Sequence, residues 1–213
     1  MSADKRFVSR AGEKLDAALD AWADILSSLD GIVAADLGAN VGGFTDCLLK
    51  RGAKKIYAVD TGYGVLDWSL RNDDRVVAME RTNALHVELP ERVDIVVVDV
   101  AWTPQRYILP AAWRMLRDPV QCPVVSLIKP QYEATETELG GRGKSRRGVL
   151  TEERLPAVLE RIHRDVQSIG GRVLREMDSP IRGSRGNAEF LWLVQHIEAV
   201  SYTHLTLPTK RIV

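Results

Sequence analysis

Residues that could bind a ligand first occur in a glycine-rich stretch at 35–46. The stretch follows an apolar run and precedes an apolar-periodic segment, which predicts a buried strand that turns through glycines into a helix. Glycine lets the backbone approach a ligand, and a helix start offers unpaired N–H groups. The order Asp36, Gly38, Gly42, Gly43 differs from the dinucleotide fingerprint G-x-G-x-x-G. Its leading carboxylate suits a cationic ligand such as S-adenosylmethionine, and a tight turn without a ligand is the alternative.

Charged residues also stand at the ends of three later predicted strands. Asp60, Asp99 and Lys129 end or follow apolar runs, as Asp36 does. Ligands of parallel α/β sheets bind at the carboxyl ends of the strands, so these side chains are expected to surround one crevice. Asp60 follows Asp36 at close to the interval of roughly 20 residues at which an acid takes ribose hydroxyls in nucleotide folds. A single aspartate there is more often a helix cap, so it is the set of four that favours a site.

These residues require a scaffold in which strands alternate with helices. The alternation predicts an α/β, Rossmann-like, doubly wound fold with a mostly parallel seven-stranded sheet and helices on both faces. The last two strands have no helix between them, which predicts an antiparallel strand at the sheet edge. One helix is predicted at 10–26, capped by Ser9, and another at 151–169, capped by Thr151. The predicted strands are 31–35, 55–60, 76–80, 93–100, 123–128, 173–177 and 189–196, with further helices at 44–49, 65–71 and 108–116.

The composition is that of an ordinary globular protein. Its 213 residues include 29 basic and 29 acidic side chains, so any affinity for nucleic acid must come from a local patch. Cys47 and Cys122 lie in apolar segments, as expected for reduced thiols rather than for disulfides or a metal site. No signal-peptide pattern or membrane-spanning run occurs, so a cytoplasmic protein is expected. One domain is predicted at 9–198, between a flexible amino terminus at 1–8 and a disordered or non-native tail at 199–213.

Six separated motifs together carry a family resemblance. They are VSRAGEKL at 8–15, DLGA at 36–39 with GGFTD at 42–46, YAVDTGYG at 57–64, ERTN at 80–83, IKPQYE at 128–133 and GNAEFL at 186–191. In this order they resemble the FtsJ-like methyltransferase domain of haemolysin-A-type proteins. The resemblance covers roughly Val8 to Val194. It implies a Rossmann-like enzyme that methylates ribose 2′-hydroxyls of RNA, with ribosomal RNA as the expected substrate and S-adenosylmethionine as cofactor.

The resemblance implies a catalytic tetrad of the order Lys-Asp-Lys-Glu. The matching residues are Lys14, Asp99, Lys129 and Glu189. A ribose hydroxyl is a weak nucleophile that must lose its proton as it attacks a methyl group in line, so a positioned base and close alignment are needed. Lys129 is expected to be that base or to orient the hydroxyl. By periodicity alone Lys14 would be a solvated lysine at the edge of a helical stripe, and it gains a role only through the resemblance.

The resemblance also implies which residues bind the cofactor. The backbone of the glycine loop would admit the methionine moiety, while Asp36 would face its cationic groups and Asp60 the ribose. Asn83 would lie near the adenine, although an asparagine after a strand is often only a turn residue. The implied set is Asp36, Gly38, Ala39, Gly42, Gly43, Phe44, Asp60 and Asn83.

An RNA-binding surface is predicted at a basic loop. Residues 140–148 contain the only dense basic run, which is typical of a phosphate clamp, and a solvated surface loop is the alternative. The family begins with an RNA-binding S4-like module, which is expected to be absent here. RNA, or a ribosomal subunit, would then dock on the domain itself or on a separate protein. The predicted RNA-binding residues are Arg142, Lys144, Arg146, Arg147, Arg182 and Arg185.

One departure from the family pattern follows Asp99. Where the family has a Leu-Ser-Phe-like sequence, this chain has Val100-Ala101-Trp102. Trp102 could stack on a base, a contact worth about 1–3 kcal/mol, or it could plug the core. Three other functions remain as alternatives: a membrane-active haemolysin, a non-catalytic S-adenosylmethionine or RNA binder, and a nicotinamide-dependent oxidoreductase. Weak amphipathicity, the intact tetrad and the loop spacing argue against them in turn.

Overall fold

The computed structural model describes residues 6–26, 28–139, 150–183 and 186–197. They form a seven-stranded sheet in the order β3-β2-β1-β4-β5-β7-β6, with helices on both faces. The elements are α1 (Arg10–Ala21), β1 (Val33–Leu37), α2 (Gly43–Lys50), β2 (Lys55–Val59), α3 (Trp68–Arg71), β3 (Val76–Met79), β4 (Ile95–Val98), α4 (Gln105–Met115), β5 (Val124–Ile128), α5 (Pro130–Glu133), α6 (Leu155–Ser168), β6 (Gly171–Asp178) and β7 (Phe190–His196).

Strands β1 to β5 are parallel, and their order switches direction at β1. Because β1 pairs with both β2 and β4, a crevice opens at their carboxyl ends, where ligands of such sheets bind. Strand β7 runs antiparallel to both β5 and β6, so the last two strands form a hairpin at the edge with β6 outermost. The predicted doubly wound α/β fold with an antiparallel edge pair is confirmed. Phe190 pairs with Ile128, so β7 begins where β5 ends.

The core forms two layers, one on each face of the sheet. Side chains alternate between the faces of a strand, and on β1 Ala34 packs with α1 and α2 while Val33 and Ala35 pack with α4 and α6. All of β4 is buried, as expected for a central strand covered on both sides. The predicted apolar stripe of α1 is buried too, at Leu15, Ala18, Leu19 and Trp22.

Two helix boundaries differ from the sequence prediction. Helix α1 ends at Ala21, and residues 22–26 continue as turns rather than as helix. Helix α6 begins at Leu155, so Thr151 does not cap it; the Thr151 carbonyl instead accepts the Leu155 amide in a preceding turn. Pro156 explains the later start, because a residue without an amide hydrogen fits the first turn of a helix, where that amide would have no helical partner.

The amino-terminal boundary of the domain also moves. Phe7 is buried and the Val8 amide donates to Oδ2 of Asp46 at 2.9 Å, so the domain includes residues that were predicted to be flexible. Ser9 is the N-cap residue of α1 as predicted, but its side chain makes no capping hydrogen bond. The predicted tail at 199–213 lies outside the described residues. Within the described ranges, no helix is long and apolar enough to cross a membrane.

Candidate active site

Two lysine–carboxylate pairs lie at the carboxyl end of the parallel strands. In the first pair, Lys129 directly follows β5 and contacts Oδ1 of Asp99, which directly follows the neighbouring strand β4. In the second pair, Nζ of Lys14 on α1 donates to Oε2 of Glu189 at 2.5 Å. Glu189 directly precedes β7, and the antiparallel direction of β7 places it at the same end of the sheet as Lys129. The structure therefore brings together the four residues of the predicted tetrad as two pairs.

Both pairs are largely shielded from water. The side-chain exposure is 11% for Lys14 and 5% for Glu189, and it is 15% for Lys129 and 20% for Asp99. Shielding strengthens the attraction within each pair, and it makes each charge costly to leave without its partner. The interpretation of Lys14 as a solvated lysine is wrong, because α1 packs against α2 and contacts β7.

Two glycines set the position of the helix that carries Lys14. Gly12 of α1 lies against Gly43 at the start of α2, and a Cβ on Gly12 would stand 2.9 Å from the Gly43 carbonyl oxygen. A Cβ on Gly43 would stand 2.8 Å from the Gly12 amide nitrogen. The two helix starts can therefore meet backbone to backbone only when both residues lack a side chain. This contact links the predicted cofactor loop to the lysine of the second pair.

The glycine loop after β1 comes close to the end of β4. Gly38 has φ +85°, and a Cβ on it would stand 2.6 Å from the carbonyl oxygen of Asp99. Gly42 has φ +103° and lies against Leu66, which fixes the start of α2. Both residues adopt the left-handed backbone that glycine tolerates best. The loop thus occupies the space between β1 and β4 with backbone alone.

Asp36 is a fully buried carboxylate beneath this loop. Its Oδ2 accepts a hydrogen bond from the Thr45 hydroxyl at 2.7 Å. Its Oδ1 is buried and has no hydrogen-bond partner among the residues that the structure describes. Burial raises the pKa of Asp36 to about 7, the Thr45 hydroxyl opposes that rise, and the charge of Asp99 adds to it. An acceptor oxygen without a partner is a feature that a cationic ligand would satisfy.

Asp60 and Asn83 border the crevice, and the side chains of both accept hydrogen bonds from backbone amides of nearby loops. The Asp60 carboxylate accepts the amide of Asn40 at 2.8 Å and the amide of Gly62 at 2.7 Å. Asn83 is exposed, and its Oδ1 accepts the amide of Leu85 at 2.9 Å, as in a turn residue. Asp60 therefore ties its own loop to the glycine loop across the crevice.

Two adjoining cavities contain nearly all of the predicted cofactor residues. The larger one, of about 370 Å³, is lined by Gly38, Asp60, Asn83, Asp99 and Lys129. The smaller one, of about 70 Å³, lies beside the start of α1, and Gly38 and Asp99 line both. Gly42 lines neither cavity. The smaller cavity is also lined by Asp36, Ala39, Gly43 and Phe44.

A larger groove lies elsewhere, between α6 and β6 at the outer edge of the sheet. Its volume is about 770 Å³, and its lining includes His163, Arg172 and Glu176. None of the predicted catalytic or cofactor residues lines it. Volume alone would therefore misplace the site, which is identified instead by charged residues at the strand ends.

The predicted RNA-binding residues fall mostly outside the described part of the chain. Of the six, Arg142, Lys144, Arg146, Arg147 and Arg185 lie outside it, and their assignment stays a prediction. Arg182 is exposed, and its guanidinium donates to the Gly186 carbonyl at 3.1 Å, in the loop before Glu189.

Trp102 lies at the mouth of the larger cavity rather than in the core. Its side chain is 47% exposed, and its ring centroid is 4.2 Å from that of Tyr132 on α5. The interpretation of Trp102 as a core plug is wrong.

Some residues of the site were not predicted from sequence. Asn40 lines both cavities, and its place within the glycine loop was a signal that could have identified it. Ser9 and Thr82 also line the cavities, and their places within the motifs at 8–15 and 80–83 were the signals that could have identified them. Cys47 and Cys122 are free thiols, and burial raises the pKa of Cys47 to about 12, so this thiol stays protonated. Among the described residues, no group of three or more His, Cys, Asp or Glu side chains could hold a metal ion.

Comparison with known families shows to which family this arrangement of strands and charges belongs. The family described as "FtsJ-like methyltransferase" matches residues 7–195. The chain belongs to this family. Family membership confirms the resemblance drawn from the six motifs and identifies the chain as a methyltransferase.

Individual relatives of this methyltransferase carry two kinds of name. The chain is 40% identical over 196 residues to the "16S/23S rRNA (cytidine-2'-O)-methyltransferase TlyA" of Mycobacterium tuberculosis, covering 89% of this chain and 69% of the relative. It is 37% identical over 193 residues to "Hemolysin A" of Brachyspira hyodysenteriae, covering 87% of this chain and 75% of the relative. A solved structure of a hemolysin-type protein from Streptococcus thermophilus has a TM-score of 0.82 and 35% identity, covering 93% of this chain and 70% of that one.

Family membership and the cavities agree with S-adenosylmethionine as the cofactor of this methyltransferase. The magnesium protoporphyrin IX methyltransferase of Synechocystis PCC 6803, solved with bound SAM, shares the fold at a TM-score of 0.56 and 13% identity, covering 88% of this chain and 81% of that one. In this chain, the unpartnered Oδ1 of Asp36 offers an acceptor for a cationic group. Gly38 and Gly43 line the smaller cavity without side chains, and the Asp60 carboxylate borders the larger cavity. The residues present therefore fit this cofactor.

Proposed function

We propose that this methyltransferase modifies a ribose 2′-hydroxyl of RNA, with ribosomal RNA as the substrate. The observation that carries the proposal is the Lys129–Asp99 ion pair, which lines the same cavity as Gly38 and Asp60. A lysine and a carboxylate at a cofactor cavity suit the activation of a hydroxyl. The name of the Mycobacterium tuberculosis relative, an rRNA (cytidine-2'-O)-methyltransferase, supports the same assignment. A ribosomal substrate places the reaction in the cytoplasm.

The two pairs divide the work at the hydroxyl. Lys129 lies at the cavity and is assigned to hold the ribose hydroxyl and, as a free amine, to accept its proton, while Asp99 fixes the direction of the amino group. Glu189 and Lys14 form the second pair, and we assign to it the role of keeping the reacting ribose aligned with the methyl group. Bound S-adenosylmethionine supplies an electrophilic methyl group. The bond from the ribose oxygen to the methyl carbon would form as the methyl–sulfur bond breaks, which gives a 2′-O-methyl ribose and S-adenosylhomocysteine, and the hydroxyl proton would pass to Lys129 and from there to solvent.

The cofactor is assigned to the two adjoining cavities. Asp36 and the backbone of Gly38, Ala39 and Gly43 line the smaller cavity and would hold the amino-acid end. Asp60 and Asn83 line the larger cavity and would hold the ribose and the adenine. Gly42 and Phe44 would support the glycine loop. Gly42 packs against Leu66, and the Phe44 side chain is buried in the core next to the loop.

A methyl-transfer assay tests the proposal directly. The purified chain is incubated with ribosomal RNA, or with ribosomal subunits, and methyl-labelled S-adenosylmethionine, and the digested nucleosides are analysed for ribose methylation. Lys129→Ala should lower the rate by about 100-fold or more, the range of a lost general base, with unchanged folding by circular dichroism. Lys54→Ala, at an exposed lysine away from the site, is the matched control. A folded Lys129→Ala protein that methylates at the wild-type rate, or methylation of a base instead of ribose, would overturn the proposal.

The membrane-active alternative has a separate test. If the protein itself disrupted membranes, it would release dye from lipid vesicles, and Lys129→Ala would leave that release unchanged. We expect no release above that of a heat-inactivated sample.

A further inference from the structure

We propose that Glu133 is a positioning residue that keeps the Lys129–Asp99 pair aligned by fastening α5 to the start of α4. The proposal rests on the proposed function, because it concerns the pair to which methyl transfer is assigned. Glu133 lies outside both cavities, so it is not a catalytic residue.

The contacts of Glu133 join three elements behind the site. Its Oε1 accepts the backbone amide of Gln105, the first residue of α4, at 2.9 Å. Its backbone carbonyl accepts a guanidinium N–H of Arg161 on α6 at 2.8 Å. The N-cap residue of α4 is Pro104, whose side chain has no polar atom with which to cap a helix. Glu133 therefore supplies from a different helix the cap that the local sequence lacks.

The position of α5 explains why this contact bears on Lys129. Lys129 is the N-cap residue of α5, which is only one turn long, so any shift of the turn moves the lysine. Asp99 and α4 are joined by the short segment 100–104, so a shift of the start of α4 would also move Asp99. The Glu133–Gln105 hydrogen bond thus closes a loop through both members of the ion pair. Tyr132 and Trp102 make a second contact across the same gap, with ring centroids 4.2 Å apart.

Charged groups of both signs surround the Glu133 carboxyl. Arg106 on α4, with Arg161 and Asp165 on α6, are the charged groups that act on its carboxyl. Burial raises the pKa of Glu133 to about 7, and the Gln105 amide and the two arginines oppose the rise. Near neutral pH the side chain is therefore partly uncharged. We infer that the fastening needs an acceptor oxygen at this place rather than a negative charge.

Substitutions at Glu133 separate the acceptor from the charge. Glu133→Gln keeps an acceptor oxygen and should retain kcat within about threefold, whereas Glu133→Ala removes it and should lower kcat by about tenfold or more, since a small misplacement of a reacting group has that effect. The Kd for S-adenosylmethionine should stay within about twofold in both variants, because Glu133 lines neither cavity. Glu138→Gln is the matched control, because the Glu138 carboxylate binds Arg161 and the Thr135 amide, and neither of these lies on α4.

Substitutions at Gln105 test the same hydrogen bond from the donor side. Gln105→Pro removes the amide hydrogen at a helix position where proline is tolerated, and Gln105→Ala keeps the amide while removing the side-chain contact with Ser126. Gln105→Pro should lower kcat as Glu133→Ala does, and Gln105→Ala should lower it less. In the double variant of Gln105→Pro and Glu133→Ala, the losses should not add, because both changes break one interaction.

Amide exchange provides a reading that does not depend on activity. The Gln105 amide should exchange about tenfold faster in Glu133→Ala than in wild type and at the wild-type rate in Glu133→Gln, since only the former leaves the amide open. Unchanged exchange, or a Glu133→Ala enzyme with wild-type kcat, would overturn the inference. If instead Lys129→Ala is fully active while exchange responds as expected, the proposed function fails and the fastening of α5 stands. If Glu133→Ala does not fold, the comparison of Gln105→Pro with Gln105→Ala tests the inference, and equal kcat values for these two variants would overturn it.

Discussion

Gly183 lies directly against the carboxylate of Glu189, and a Cβ on Gly183 would stand 2.6 Å from the Glu189 Cδ. The glycine forms a wall of the space that holds this carboxylate in its pair with Lys14. The backbone here holds the loop in place, because the Gly183 amide donates to the Asn187 carbonyl at 3.0 Å. A side chain at position 183 would therefore displace Glu189 rather than the loop.

Gly183→Ala should impair methyl transfer without impairing cofactor binding. The added methyl group pushes Glu189 away from Lys14, so we expect kcat to fall by about tenfold or more, as for other small displacements in active sites. The Kd for S-adenosylmethionine should be unchanged, because Glu189 lines neither cavity. Gly186→Asn is the control, because a Cβ there meets open space and asparagine tolerates its positive φ. Equal activity of Gly183→Ala and wild type would contradict this account.

Loss of Lys14 should destabilise the protein because it leaves the buried charge of Glu189 without its partner. In Lys14→Met the Glu189 carboxylate, which is 5% exposed, loses its partner, and breaking such a pair costs about 3–5 kcal/mol of unfolding free energy. The double variant of Lys14→Met and Glu189→Gln should recover much of that loss, although not the activity. Urea unfolding at neutral pH measures both effects. Lys55→Met, which breaks the exposed pair with Glu91, should have a much smaller effect, and an equally small effect for Lys14→Met would refute the prediction.

Asp36 should make cofactor binding depend on pH. Burial raises its pKa to about 7, so below that pH the side chain is mostly neutral, and a cationic ligand that prefers the carboxylate must displace a proton. Affinity for S-adenosylmethionine should therefore fall by up to about tenfold for each pH unit below 7 and level off above it. Calorimetry in two buffers of different ionisation enthalpy should detect the released proton. Asp36→Asn should bind weakly with no such pH dependence, and a wild-type Kd that is constant from pH 5.5 to 8 would contradict the assignment.

The same pKa shift gives a prediction for folding. The folded pKa of Asp36 is raised above its unfolded value, so the stability that the neutral form contributes is present at low pH and lost as the pH rises from about 4 to about 7. Relative to wild type, Asp36→Asn should gain stability across that window, by at most about 4 kcal/mol, and gain nothing further above it. Urea unfolding at several pH values measures the difference. A difference that does not vary with pH would show that Asp36 titrates normally.

Charge reversal in the basic loop should weaken RNA binding. Arg146→Glu and Arg147→Glu together should lower affinity for ribosomal RNA and reduce the slope of log affinity against log salt by about 1 to 2 units, as expected when two phosphate contacts are lost. Filter binding over a range of salt concentrations measures both quantities. Glu152→Lys and Glu153→Lys together provide a control with the opposite change of charge at neighbouring positions. Unchanged binding at low salt would favour the solvated-loop interpretation.

Much of the fold could be predicted because its signals are local. The strands at 55–60 and 76–80 and the buried central strand were predicted close to their observed bounds, since apolar runs and glycines act over a few residues. Helix ends were predicted less well. Thr151 satisfied the local pattern of a cap, but Pro156 set the start of α6 later, and residues 22–26 form turns although their apolar spacing continues.

The alternation of strands and helices and the glycine loop could be predicted from the chain alone, because each depends on neighbouring residues, whereas the tetrad was implied by the resemblance to a family. The pairing of the charges depends on how distant segments pack. Lys14 and Glu189 are 175 residues apart in sequence, and they meet because α1 crosses α2 at Gly12 and Gly43 and because β7 runs antiparallel to β5. The burial of Asp36 and the link from Glu133 to Gln105 likewise follow from packing between distant segments, which no local pattern encodes.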